Sequence, residues 1–128
     1  MRYITPLKTA EGLGSAHTGT FQHWALTVSA CALVLLTPAF LLVVGSAIGL
    51  PQEGVIAYFG RPYPALVTAL FIIVGMIHFM KGTRVMIDDY FQHTARKVAI
   101  IFSVIFGWAV IATAVYALVK MAFVTLVI

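Results

Sequence analysis

Residues 64–93 read PALVTALFIIVGMIHFMKGTRVMIDDYFQH. The stretch opens as an unbroken apolar run, carries one histidine at depth, and closes in two acids, an aromatic hydroxyl and a second histidine. At about 1.5 Å rise per residue, the part from Pro64 to Ile87 is long enough to cross a hydrocarbon core of about 30 Å. Pro64 suits the first turn of such a helix, where its missing N–H costs nothing. An ionisable group inside lipid is expensive, so His78 is by default a candidate functional residue.

Two further apolar runs flank this one, at about 23–48 and about 98–127. The predicted class is therefore an all-α integral membrane protein whose three spans pack as a bundle. Composition agrees: 62% of the 128 residues are hydrophobic and 9% charged, and mean hydropathy is +1.03. A soluble domain is nearer a quarter charged, and so short and apolar a chain could not cover itself with polar groups. Its partner on most of its surface is membrane lipid. The net charge of +4 is a topology signal, since no basic run or stripe lies outside the span ends; nucleic-acid binding is excluded on that ground. The first span is too long for a signal-peptide core and two more follow it, so insertion as an intact multi-span chain is expected.

The basic residues set the orientation. Arg2 and Lys8 precede span one, and Lys81, Arg84, Arg96 and Lys97 surround the turn between spans two and three. Only Arg61 lies in the opposite loop, while Lys120 can snorkel from span three. The rule that basic residues stay inside puts the N-terminus and the Asp88–Asp89–Tyr90 end on the cytoplasmic (or mitochondrial matrix) side, and the C-terminus on the other.

The remaining segments read as connections. Residues 1–22 form an N-terminal interfacial segment, with the glycine- and hydroxyl-rich Glu11–Thr20 stretch as a loop; residues 23–128 form the anchor domain. Trp24 suits the lipid–water boundary, and Thr37-Pro38 is a candidate kink. Thr27, Ser29, Cys31 and Ala32 give span one a small, weakly polar half, read as a helix-packing face. Tyr58, Phe59 and Tyr63 lay the Gly49–Tyr63 connection along the interface. A polar bend is expected from Asp88 to Arg96.

On a helix His78, Gly82, Val85 and Asp89 follow steps of four, three and four and share one stripe. If the helix persists, the imidazole and the Asp89 carboxylate are about 16 Å apart along the axis. Gly75 and Gly82, one turn to either side of His78, would let a flat macrocycle approach the backbone. A neutral imidazole can ligate haem iron, with the second ligand coming from another subunit because this chain offers one histidine at depth. The other reading is a histidine that hydrogen-bonds a neighbouring helix, and spacing alone leaves both open. At the polar end Tyr90 offers a donor, Asp89 an acceptor or proton source, and Arg84 a fixed charge. A quinone head group needs such a set, and an ordinary interfacial bend has it too.

The order of these residues narrows the choice. A histidine in the second of three spans, a glycine four residues on, then Val-Met-Ile-Asp-Asp-Tyr and a histidine, resembles the small haem-b hydrophobic membrane anchor of succinate dehydrogenase (respiratory complex II). The Gly-Leu-Gly-Ser-Ala-His-Thr-Gly-Thr segment (residues 12–20), followed by His23-Trp24, is similar to that family's entry segment. The resemblance implies a complex with a flavoprotein subunit, an iron–sulfur subunit and a second anchor subunit, in a bacterial inner or mitochondrial inner membrane. It implies that His78 is an axial ligand of haem b and the metal ligand of the chain. Tyr90 would donate to a ubiquinone carbonyl with Asp89 as the acid beside it, and Arg84 would serve a haem propionate or the quinone site. Many relatives carry an arginine early in span one where this chain has Thr27. The chain would have no catalysis of its own. A haem-free structural or assembly subunit, and the anchor of a fumarate reductase, are the alternatives. A small multidrug-type transporter is disfavoured because no carboxylate lies within a span.

Overall fold

In the computed structural model, residues 3–14 and 19–127 are described. Ser15–Thr18, which include His17 and the middle of the expected entry loop, lie outside them, as does Arg2 of the basic count. Among the described residues the chain is helical without strands: α1 Pro6–Glu11, α2 Gly19–Ala47, α3 Gln52–Phe59, α4 Pro62–Tyr90 and α5 His93–Val127. Three of these, α2, α4 and α5, are long and apolar enough to cross a membrane. Their 29, 29 and 35 residues all outreach a core of about 30 Å, so tilt or protruding ends follow.

Each boundary has a local cause. Thr5 caps α1, its Oγ1 accepting from the Lys8 N–H at 3.2 Å, and Pro6 follows at the first helical position. Gly12 ends that helix with φ 56°, a conformation that favours glycine. Pro62 opens α4 two residues before the expected start. The expected Asp88–Arg96 bend is much shorter than the sequence suggests. Asp88 to Tyr90 complete α4, His93 already opens α5, and only Phe91 and Gln92 lie between. His93 makes the reversal with φ 52°, an uncommon region for a side chain of this size. The Gly49–Tyr63 connection likewise contains a helix, α3, with Glu53 in its first turn, where a carboxylate complements the helix dipole.

Within lipid every polar group must find a partner nearby. The span hydroxyls bond back to their own helices: Thr37 Oγ1 to the Leu33 carbonyl (2.6 Å), Ser46 to Leu42 (2.8 Å), Ser103 to Ile100 (2.9 Å) and Thr113 to Ala109 (2.8 Å). Pro38 sits inside α2 without ending it. Among the buried side-chain oxygens described, Thr68 Oγ1 has no partner.

The spans form a row. α4 packs on α2 along one side and on α5 along the other, and among the described residues the backbones of α2 and α5 do not come close to each other. Phe40 stacks on Phe71 (centroids 4.1 Å apart, planes 10°) between α2 and α4, and Phe79 meets Phe106 edge-on at 6.2 Å between α4 and α5. A row leaves both broad faces open, and few residues are buried: Val43, Ile87, Ile111 and Leu118 are the buried hydrophobics. Cys31, expected as a packing residue, is exposed on α2. α3 docks on the end of α5, where Thr125 reaches the Ile56 carbonyl at 3.5 Å.

Gly107 marks a close approach of α5 to α4, since a Cβ there would run into the Met80 side chain. Gly107→Leu is expected to destabilise the α4–α5 pair by about 1–3 kcal/mol through overpacking. Gly107→Ala should cost less, because methionine can swing aside. The thermal midpoint of the detergent-purified protein checks the order: leucine lowest, alanine between, wild type highest.

Candidate functional site

His78 lies on the side of α4 that faces α2, half-buried. Its Nδ1 is 2.9 Å from Ser29 Oγ, and Ser29 is one of the few buried polar residues, at 8% exposure. The antiparallel run of the helices explains the meeting. Ser29 and His78 lie about 15 Å and about 18 Å from the same end of their helices, counted at 1.5 Å per residue. Sequence assigns Ser29 only a packing role; in the structure it is the histidine's hydrogen-bond partner. Among the described residues nothing bonds the other ring nitrogen, Nε2.

The helix does persist from His78 to Asp89, so the stripe of His78, Gly82, Val85 and Asp89 is continuous. A Cβ added at Gly82 would meet nothing within 4 Å, and one at Gly75 only Leu33 Cδ2, at 3.8 Å. Val85 on the same stripe is 48% exposed. The stripe is therefore open one turn beyond His78, at Gly82. A groove of about 450 Å³ between α2 and α4, lined by Val28, Ser29, Val74 and Ile77 among others, ends at Lys81. A smaller cleft of about 160 Å³ adjoins it and adds Arg84 and Asp88. Lys81, which in the sequence marks only orientation, is half-buried and lines both.

The polar end is organised around Asp88. Arg84 Nε is 4.0 Å from its Oδ2 and Arg96 Nε 3.8 Å from its Oδ1. The Arg96 contact clamps the start of α5 to the end of α4 across the two-residue connection. All three side chains are about half exposed, so each pair contributes at most about 1 kcal/mol after solvent screening. Asp88, which the sequence places only at the start of a polar bend, is thus the bridging acid, and Arg84 is engaged with it. Asp89 and Tyr90 are exposed at the helix end, Tyr90 at 81%; any pocket around them has to be completed by other chains. His23 and His93 are exposed near the same end. Thr27 bonds back to the His23 carbonyl at 3.0 Å.

Among the described residues no group of three or more His, Cys, Asp or Glu could hold a metal ion. The donor chemistry does fit one axial position of a haem: a single imidazole with one nitrogen hydrogen-bonded, the other unclaimed, and open helix surface beside it.

These features define a small multi-pass helical membrane protein with one histidine at depth bonded to a neighbouring helix. Residues 1–127 match the family model described as "Succinate dehydrogenase/Fumarate reductase transmembrane subunit". The chain is also 74% identical, over 121 residues covering 94% of both chains, to a Paracoccus denitrificans protein named "Succinate dehydrogenase hydrophobic membrane anchor subunit". No solved structure matches it significantly. The chain belongs to the succinate dehydrogenase/fumarate reductase transmembrane subunit family.

Proposed function

We propose that the chain is the haem-binding hydrophobic anchor of a succinate:ubiquinone oxidoreductase and supplies one axial ligand, His78, to a haem b shared with a second anchor subunit. The observation that carries this reading is the state of the imidazole: Nδ1 is taken by Ser29 and Nε2 is left for a partner. A histidine that merely packed would be served by the same Ser29 bond, so the two readings part at Nε2. Haem b, when bound, supplies a one-electron carrier at that depth. The chain's own residues hold the ring, keep its position between α2 and α4, and offer Lys81 and Arg84 at the groove's polar end, where carboxylates would be welcome.

At the helix end Tyr90 donates to a carbonyl oxygen of ubiquinone, and Asp89 stands beside it as the acid of the site. The direction of catalysis follows the name of the Paracoccus relative rather than any residue here. The flavoprotein and iron–sulfur subunits would sit on the cytoplasmic or matrix side, with the Asp-Asp-Tyr end, in agreement with the basic residues at that side.

Purification through a tag on this chain, in mild detergent, tests the whole reading. Succinate–dye activity and a b-type reduced-minus-oxidised spectrum should elute together. A stable, active but colourless complex would move His78 to the packing role, and elution without succinate–dye activity would overturn the anchor assignment.

A further inference from the structure

We propose that Ser29 is a positioning residue for His78, holding the imidazole in the tautomer that presents a bare Nε2 to iron. The inference rests on the ligand role of His78 and adds a second residue, on a different helix, to that site.

Hydrogen inventory decides the tautomer. A serine hydroxyl has one hydrogen to donate and two lone pairs to accept with. In α2 the Ser29 Oγ lies 2.8 Å from the Ala25 carbonyl and 2.9 Å from the Leu26 carbonyl. Both are acceptors only, so the single hydroxyl hydrogen is directed at them. With the hydroxyl hydrogen on those carbonyls, the contact to His78 Nδ1 at 2.9 Å is made by an oxygen lone pair, and we assign the hydrogen in it to Nδ1. A neutral imidazole protonated at Nδ1 carries its free lone pair on Nε2. Were the roles reversed, Nε2 would bear the hydrogen and could not ligate, and both α2 carbonyls would lose the hydroxyl.

The surroundings reinforce that choice. Ser29 is buried, so water does not compete readily for its hydroxyl. The bond also ties the ring to α2, which restricts its rotation about the Cβ–Cγ axis. Metal-ligating histidines generally donate their second N–H in this way, and removing such a partner typically costs about 10–100-fold in affinity.

The test compares intact complexes carrying wild-type, His78→Ala, Ser29→Ala and Ser29→Thr chains, read by haem retention under dilution in detergent and by the low-temperature EPR signal of the oxidised haem. Ser29→Ala should lose haem about tenfold more readily and broaden or shift the EPR signal as the ring is freed. Ser29→Thr, which keeps the hydroxyl, should match wild type. If Ser29→Ala does not assemble, the near-isosteric pair Ser29→Thr and Ser29→Val makes the same comparison. A spectrum unchanged in His78→Ala would remove the ligand reading and this inference with it. A spectrum lost in His78→Ala but identical to wild type in Ser29→Ala would leave the ligand standing and overturn the positioning role alone, as would a threonine complex that assembles with the alanine signature.

Discussion

Complexes carrying His78→Ala are expected to lose the b-type absorption while retaining succinate oxidation by a soluble dye. Among the described histidines only His78 lies deep in a span, and the other two, His23 and His93, are exposed near the helix ends. No substitute ligand stands close in sequence or depth. Loss of a direct ligand should therefore exceed the roughly 10–100-fold affinity loss typical of an outer partner. The substitution should not unfold α4, whose residues at this point are held by Phe71 stacking on Phe40 and by Met80 against Gly107. Ser29 keeps its bonds to Ala25 and Leu26, so no stranded polar group remains in lipid. Preserved dye activity would report an assembled complex. An unaltered b-type spectrum would end the ligand assignment.

Tyr90→Phe is expected to separate two activities. The phenyl ring is retained and only the hydroxyl goes, at a residue 81% exposed on this chain, so the fold should hardly notice. A hydrogen bond of this type contributes about 0.5–1.5 kcal/mol, and more where its loss leaves a carbonyl without a donor. Quinone reduction should fall by about tenfold at 1.4 kcal/mol, with succinate–dye activity unchanged. A parallel fall in both would show that Tyr90 serves assembly instead. Asp88 is the wrong control here, because it clamps Arg84 and Arg96 and its removal would loosen the α4–α5 junction.

Much of the architecture is legible in hydropathy because lipid imposes a strict rule: every apolar run of sufficient length becomes a helix. The stripe from His78 to Asp89 is likewise legible, as helical periodicity runs unbroken to Tyr90. What periodicity cannot show is which helix stands opposite. Ser29 belongs to the small, weakly polar face of α2, and nothing in its own spacing separates a packing hydroxyl from a histidine's partner. Depth is the signal that could have found it, since two helices joined by α3 run antiparallel and bring residues equally far from one end to the same level. The tight Phe91–Gln92 connection is hidden for a related reason. Acids and bases at a span end look like a long solvated bend, whereas here they pair across the junction and let both helices continue. The α3 helix is masked by the glycine and prolines that bound it.

Because α4 stands between α2 and α5, whose backbones do not come close to each other, the two packing seams share a helix rather than a direct α2–α5 interface. Perturbations on opposite seams should therefore combine independently. A change at Ser29 and one at Gly107 ought to give free-energy effects that add within about 0.5 kcal/mol. In a closed three-helix bundle they would be coupled through the third contact. The subunit can thus vary its α5 side, to suit a different bilayer or neighbour, without retuning the histidine on the other.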